Sequence, residues 1–411
     1  MKMKRHRFYA CLLTVMTLAG FTACSSTDND GMTDDQTVNG KSQLTLTINT
    51  LGTRAAMTSD PTDEKTINRI TVGIFDESGN VRAIQEFSDG GQNGGANTFK
   101  TDNGVTVMNI VTNKLAAKDQ VLVAVNAPSG SFTGVQTATA FKQVHVDADQ
   151  ALATDADGQL SSTTEVSNNA PMFGQAELKA PETGKTAYTA TVNVSHLTAK
   201  ISLDDIEVAF DPTASYNAAT FSPTEIYVEH VNDGLNFNAT AWKDASQLSG
   251  TSKSYLTTGT ISGVTLSGAE GTSTAKTNNK YYFYVTPSNY DTPSGTNANA
   301  VRVWIKGLFD PDGKGNTDAT TVFYPVLLNV KYNAAGVAAP AEDKTEKYKV
   351  YPNKNYTCSI VIKTKGLPGI GKDGATQPDG TNGNDELKPQ QATITVSVND
   401  WDRVPQTTTF E

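Results

Sequence analysis

Gln43-Leu-Thr-Leu-Thr-Ile-Asn49 sets the period on which the rest of the chain is read. Leu44, Leu46 and Ile48 fall on one side of an extended backbone and the threonines on the other, the pattern of a strand with one face in a core. Working outward, similar runs recur between clusters of Gly, Asn and Asp, at 67–75, 81–87, 105–111, 120–126, 172–178 and 188–194. A short helix is expected near 137–144. The strand at 188–194 is expected to run on through 196–203 into 206–210. Further strands are expected at 225–230, 281–286, 301–309, 322–332, 356–363 and 392–401. Antiparallel hairpins fit such alternation better than βαβ units, which need long amphipathic helices. The expected fold is all-β, two tandem antiparallel β-sandwiches with the change of domain near Leu197.

Upstream of the first strand the composition changes character. Lys2, Lys4, Arg5 and Arg7 precede sixteen mostly apolar residues, 8–23, and then Cys24-Ser25-Ser26. The apolar run is too short for a comfortable membrane span and right for a removable signal segment. Residues 1–23 are therefore expected to be the signal. Cys24, after Phe21-Thr22-Ala23, resembles a bacterial lipobox cysteine, which takes acyl chains and becomes the new N-terminus.

Charge and cysteine content narrow the chemistry. The full chain carries −10, and loss of the four basic leader residues leaves 29 basic against 43 acidic groups, −14. An acidic surface opposes nucleic-acid binding and keeps an exported protein in solution. Of the three cysteines, Cys11 leaves with the signal and Cys24 takes the lipid. Cys358, within Tyr356-Thr-Cys-Ser-Ile-Val-Ile362, alternates like a strand and reads as a small buried side chain.

Catalytic and metal motifs are not found. His145, His196 and His230 have no ligand spacing, and there is no His-Glu-x-x-His, Cys-x-x-Cys or Gly-x-Ser-x-Gly. Gly366-Leu-Pro-Gly-Ile-Gly371-Lys372 approaches a phosphate loop, but Asp373 stands where Ser or Thr would hold magnesium. The oxygen-rich 310–318 segment lacks the spacing and final Glu of an EF-hand and reads as a solvated hairpin loop. No enzyme, cofactor or metal is expected.

The two ends are more informative. Leu51-Gly-Thr-Arg54-Ala55-Ala56 places one basic residue among small ones, a site open to a trypsin-like protease. A cut after Arg54 would release residues 24–54, and with them the lipid and the strand of Leu44, Leu46 and Ile48. Residues 55–66 read as a flexible tail. A sheet that loses a strand keeps unpaired backbone groups and an apolar slot until another strand fills it. Beyond Trp401 the tail alternates Val404, Gln406, Thr408 and Phe410 on one face, and strand addition from one copy to the next makes a fibre.

Several short motifs accompany these ends: Val121-Leu-Val-Ala-Val-Asn-Ala-Pro128, Pro171-Met-Phe-Gly174, Leu197-Thr-Ala-Lys-Ile201, Tyr282-Phe-Tyr-Val285 and Thr393-Ile-Thr-Val-Ser-Val-Asn-Asp-Trp401. Together with Cys24 and Arg54 they resemble the type V fimbrillins, specifically the Mfa-like shaft subunits. His196 departs from the arginine expected before the Leu-x-Ala-Lys run.

The resemblance implies transthyretin-like sandwiches at 55–197 and 198–411 and a lipidated outer-membrane precursor. It also implies an arginine-specific protease cutting at Arg54-Ala55, and a C-terminal donor strand from the neighbouring subunit. Anchor and tip subunits would be partners, and host surfaces or other bacteria the adhesion targets. The other reading is a lipid-anchored surface binding protein using exposed aromatics such as Tyr281, Trp304 or Tyr324, or an anchor or tip subunit outside the shaft.

Overall fold

Alternating apolar residues become a stable sheet only where neighbouring strands satisfy the backbone and close over the apolar face. The computed structural model describes residues 42–50, 66–89, 97–102, 105–112, 114–148, 170–238, 247–249, 256–268, 281–288, 300–315, 318–328, 331–332, 338–339, 348–370, 377–378 and 392–400. The first strands are β1 (Ser42–Thr50), β2 (Arg69–Phe75), β3 (Val81–Asp89), β4 (Thr98–Asp102), β5 (Val105–Thr112) and β6 (Gln120–Val125). After them come α1 (Ala138–Lys142), β7 (His145–Asp147), β8 (Met172–Glu177) and β9 (Tyr188–His196).

The second half begins with β10 (Ala199–Val208), β11 (Thr220–Asn232), β12 (Gly234–Asn236), β13 (Gln247–Ser249), β14 (Leu266–Ser267) and β15 (Tyr281–Val285). It continues with β16 (Arg302–Asp310), β17 (Thr320–Leu327), β18 (Lys331–Tyr332) and β19 (Ala338–Ala339). It ends with β20 (Lys354–Ile362), β21 (Leu367–Ile370), β22 (Gln377–Pro378) and β23 (Ala392–Asp400).

The fold is all-β as expected, and eight strands of the first half close into a barrel in the order β1-β5-β4-β3-β2-β6-β8-β9. Closure comes from β9 pairing in parallel with β1. Inward residues Leu44, Leu46, Ile48, Ile70, Val72, Ile74, Val121, Val123, Val192 and Val194 fill the barrel. All seven residues of β2 are buried because its outer face is covered as well. There the Phe75 and Phe141 rings meet edge to face at 5.8 Å, bringing α1 onto the barrel wall. The short helix expected near 137–144 is α1, capped by Thr137, whose side-chain oxygen accepts from Ala140 N at 3.0 Å.

In the second half, β15-β10-β20-β23 form one sheet, and β11, β13, β14, β16, β17, β21 and β22 another. Ile201, Ile206 and Cys358 from the first share a core with Ile226, Ile305 and Phe309 from the second. That core runs on into Phe75, Phe132 and Phe141, and the β7–β12 ladder also joins residues of the two halves. Most ladders are antiparallel, but β1–β9, β3–β4 and β10–β20 are parallel.

Two expected strands are broken. The run through 188–210 stops at His196, because β9 pairs with β8 and β1 whereas β10 pairs with β15 and β20. Between them Leu197 N bonds Pro171 O at 2.8 Å and Thr198 O accepts from Asn353 N at 2.8 Å. The run expected at 322–332 also divides. β17 ends at Leu327, and Lys331–Tyr332 pairs with β19 instead. Among the described residues no helix is long and apolar enough to cross a membrane.

Candidate functional site

β1 occupies a place that the sequence order makes unusual. It is the first strand among the described residues, yet it lies between β5 and β9, which among those residues are joined only through it. It runs antiparallel to β5, from Ser42 opposite Thr112 to Asn49 opposite Val105. It runs parallel to β9, from Leu44 opposite Tyr188 to Thr50 opposite Val194. Its successor β2 lies four places round the eight-strand ring, on the opposite wall.

The inward side chains are fully enclosed. Leu44, Leu46 and Ile48 have no solvent exposure. Leu46 is flanked by Met108 of β5 and Ala190 of β9, and Ile48 by Thr106 and Val192. Enclosing three aliphatic side chains contributes about 5–9 kcal/mol. Outward, the attachment is lighter. Thr45 Oγ1 donates to Asn109 Oδ1 at 3.1 Å and Asn49 Nδ2 to Asn193 Oδ1 at 3.2 Å. β1 is therefore a plug of three apolar side chains in a slot whose walls are two strands.

The walls have their own supports. Asn126 has φ 58°, a conformation that suits asparagine. Its Oδ1 accepts from Asn68 N at 2.9 Å, and its Nδ2 donates to Thr66 O at 2.9 Å and Ala170 O at 3.1 Å. It thereby fixes the entry to β2 against the end of β6. Gly174 has a different purpose. A Cβ there would lie 2.3 Å from Asn193 O and 2.8 Å from Val192 Cγ1, so only glycine lets β8 approach the slot-forming strand β9. These two contacts account for residues singled out in the Val121–Pro128 and Pro171–Gly174 motifs.

Of the expected site residues, the structure brings Leu44, Leu46 and Ile48 together in the slot. Cys24, Arg54, Ala55, Val404, Gln406, Thr408 and Phe410 lie outside the described residues, as do the signal segment and Trp401. Two of the three aromatics expected on the surface are buried. Trp304 is 1% exposed and Tyr324 0%, because their flat side chains pack against Phe323 and Phe221. Tyr281 is half-buried against the core. Cys358 is buried in β20, as its alternation indicates.

The described residues of the Asp310–Asp318 segment lie between the paired strands β16 and β17. Asp310, Asp312 and Asp318 each offer an oxygen within 4.8 Å of the others. Asp310 already accepts from the backbone nitrogens of Asp312, Gly313 and Gly315, and Lys314 Nζ sits 2.9 Å from Asp312 Oδ2. Those partners fold the loop and neutralise part of its charge. Gly366 leads directly into β21, whose residues pair with β17 and β22, so this stretch builds sheet.

Residues 42–205 match the family described as "Major fimbrial subunit protein (FimA)", a span that includes the slot and the passage into β10. No curated protein matches the chain. A fimbrilin of Porphyromonas gingivalis shares the fold with TM-score 0.54 and 18% identity, over 88% of this chain and 99% of its own. A candidate cell adhesion protein of Bacteroides eggerthii has TM-score 0.53 and 20% identity, covering 88% and 96%. Another, from Parabacteroides distasonis, has TM-score 0.54 and 14% identity, covering 89% and 98%. Residues 42–205 are thus similar to the FimA family, and the fold shared with the fimbrilin extends beyond them.

Proposed function

We propose that the protein is a shaft subunit of a surface fimbrium, exported as a precursor lipidated at Cys24 and activated by removal of β1. An arginine-specific protease cuts at Arg54-Ala55, freeing residues 24–54 and leaving a mature chain with halves at 55–197 and 198–411. The slot between β5 and β9 then takes the tail of a neighbouring copy, with Val404, Gln406, Thr408 and Phe410 directed inward. The chain is a structural protein, not an enzyme. Its partners are further copies, anchor and tip subunits, the protease, and a host or bacterial surface.

The observation that carries this reading is the placement of β1. Among the described residues β1 comes first and completes a barrel wall, with Leu44, Leu46 and Ile48 enclosed, and the rest of the described fold follows it through the connection to β2. Cutting that connection leaves the strand held by noncovalent contacts alone, and its departure leaves a row of unpaired backbone groups. Length is compatible with replacement. At ~3.3 Å per residue the ten residues 402–411 reach ~33 Å, against ~30 Å for the nine of β1. Among the described residues β23, the last strand before the tail, pairs only with β20, at the edge of its sheet.

An Arg54→Ala change tests the trigger. The precursor should accumulate uncut at the outer membrane and form no polymer, while keeping the fold and melting temperature of the wild-type precursor. Fibres assembled from Arg54→Ala subunits would contradict the reading.

A further inference from the structure

The outward face of the β2–β3 hairpin holds a feature separate from the slot. Thr71 stands opposite Glu86 and Gly73 opposite Ile84 across this ladder. The loop at 130–136 arches over that face and encloses a cleft of about 370 Å³, lined by residues including Thr71, Ile84, Glu86, Phe132, Thr133 and Gln136. The volume falls at the small end of the ~300–1,000 Å³ usual for ligand clefts.

Both ends of the loop are tied to the hairpin. Glu86 Oε2 accepts from Gly130 N at 3.0 Å, while its Oε1 accepts from Ser129 Oγ at 2.8 Å and Arg69 Nη1 at 3.0 Å. At the far end Val81 N donates to Gln136 O at 2.9 Å. Phe132 stacks on Phe141 at 4.1 Å, and Phe141 fits against the hairpin because Gly73 has no side chain there. The cleft is thus formed before any ligand arrives, which lowers the cost of binding.

Its chemistry restricts the occupant. Among the described residues Glu86 is the only ionisable group in the lining, so an anion meets repulsion and no cation in the wall. A cation gains little, since the Glu86 carboxylate already accepts three hydrogen bonds. A wholly apolar ligand leaves a polar group unmet, because Thr71 Oγ1 is buried without a hydrogen-bond partner in the protein. Val81, Ile84, Phe132 and Val135 supply apolar surface, and exposed Thr133 and Gln136 supply polar groups at the mouth. A neutral ring with hydroxyls on its edge and C–H bonds on its faces satisfies all of these conditions. We infer that the cleft between the β2–β3 hairpin and the 130–136 loop binds a neutral pyranose unit, as at the end of a glycan.

Saturation-transfer NMR on the full chain tests this, using methyl glycosides of glucose, galactose, mannose and N-acetylglucosamine at millimolar concentration. At least one should receive saturation. Thr71→Val removes the buried hydroxyl without changing the shape, and Thr133→Trp blocks the mouth from an exposed position. Each should weaken binding tenfold or more, with Thr133→Trp unfolding at the wild-type denaturant concentration. No transfer to any of the four sugars overturns the assignment, and so does transfer that persists in either folded variant. Should Thr71→Val fail to fold, Thr133→Trp decides alone.

Discussion

At the scale of single residues, the slot depends on side chains that have no room to change. Leu46 lies in the middle of β1 with no exposure, between inward residues of β5 and β9. Leu46→Ala should cost the precursor about 2–5 kcal/mol in urea unfolding, the range for an aliphatic core truncation. Thr47→Ala, on the outward face, should cost well under 1 kcal/mol; equal losses at the two positions would contradict the inward assignment. His230 makes a different prediction. Burial first, and then the Arg302 guanidinium, push its imidazole down to about 4 from 6.5, against a weaker pull from the Ala300 carbonyl. The unfolded chain therefore binds a proton that the folded one refuses, so this contribution to stability is intact above 6.5 and is lost as pH falls toward 4. Glu229 beside it, raised by burial, has the opposite slope. Because His230 has φ 62°, asparagine is the replacement that keeps the backbone. His230→Asn should lose about 1–2 kcal/mol less than wild type between pH 7 and 4.5, after discounting for partial exposure; parallel pH profiles would contradict the buried neutral imidazole.

At the scale of elements, Asn126 ties the entry to β2 to the end of β6, so that β2 is anchored independently of β1. Asn126→Gly keeps the positive φ but removes the amide, and should cost about 2–4 kcal/mol from the lost hydrogen bonds. Faster amide exchange at Asn68 and Arg69, with exchange in β16 unchanged, would confirm that the loss is local; unchanged exchange at Asn68 would contradict it. The longer elements were legible because a period of two over seven or more residues specifies both strand and face, as in Gln43–Asn49 and the stretch that became β9. β4, β7, β12 and β19 were not, because two to five residues carry no usable period and their pairing comes from the tertiary setting. A change of domain was expected near Leu197, but the interruption of the strand at Leu197-Thr198 was hidden for a related reason. Apolar alternation continues through it, while the change of hydrogen-bond partners leaves no mark on composition. The inward triad of β1 could be read directly, whereas Asn126 and Gly174 were visible only as members of motifs. Their reasons, a positive φ and a 2.3 Å approach to a neighbouring carbonyl, are properties of the folded backbone.

At the scale of the whole molecule, alternation separates all-β from α/β, yet it cannot distinguish a closed barrel from an open sandwich, since both bury one face. Closure here depends on β1 and β9, whose parallel pairing spans most of the first half of the chain. The same dependence makes β1 a natural point of control. Deletion of 404–411 should leave a folded monomer, with the wild-type melting temperature, that cannot add to a growing fibre. Fibres of normal length from that deletion would remove the tail from the mechanism. The central claim, that β1 is discarded on the way to the fibre, is tested most directly by the N-terminal mass of the protein taken from the cell surface. The account predicts a terminus at Ala55, with Leu44, Leu46 and Ile48 gone; a terminus at acylated Cys24 in assembled fibres would contradict it.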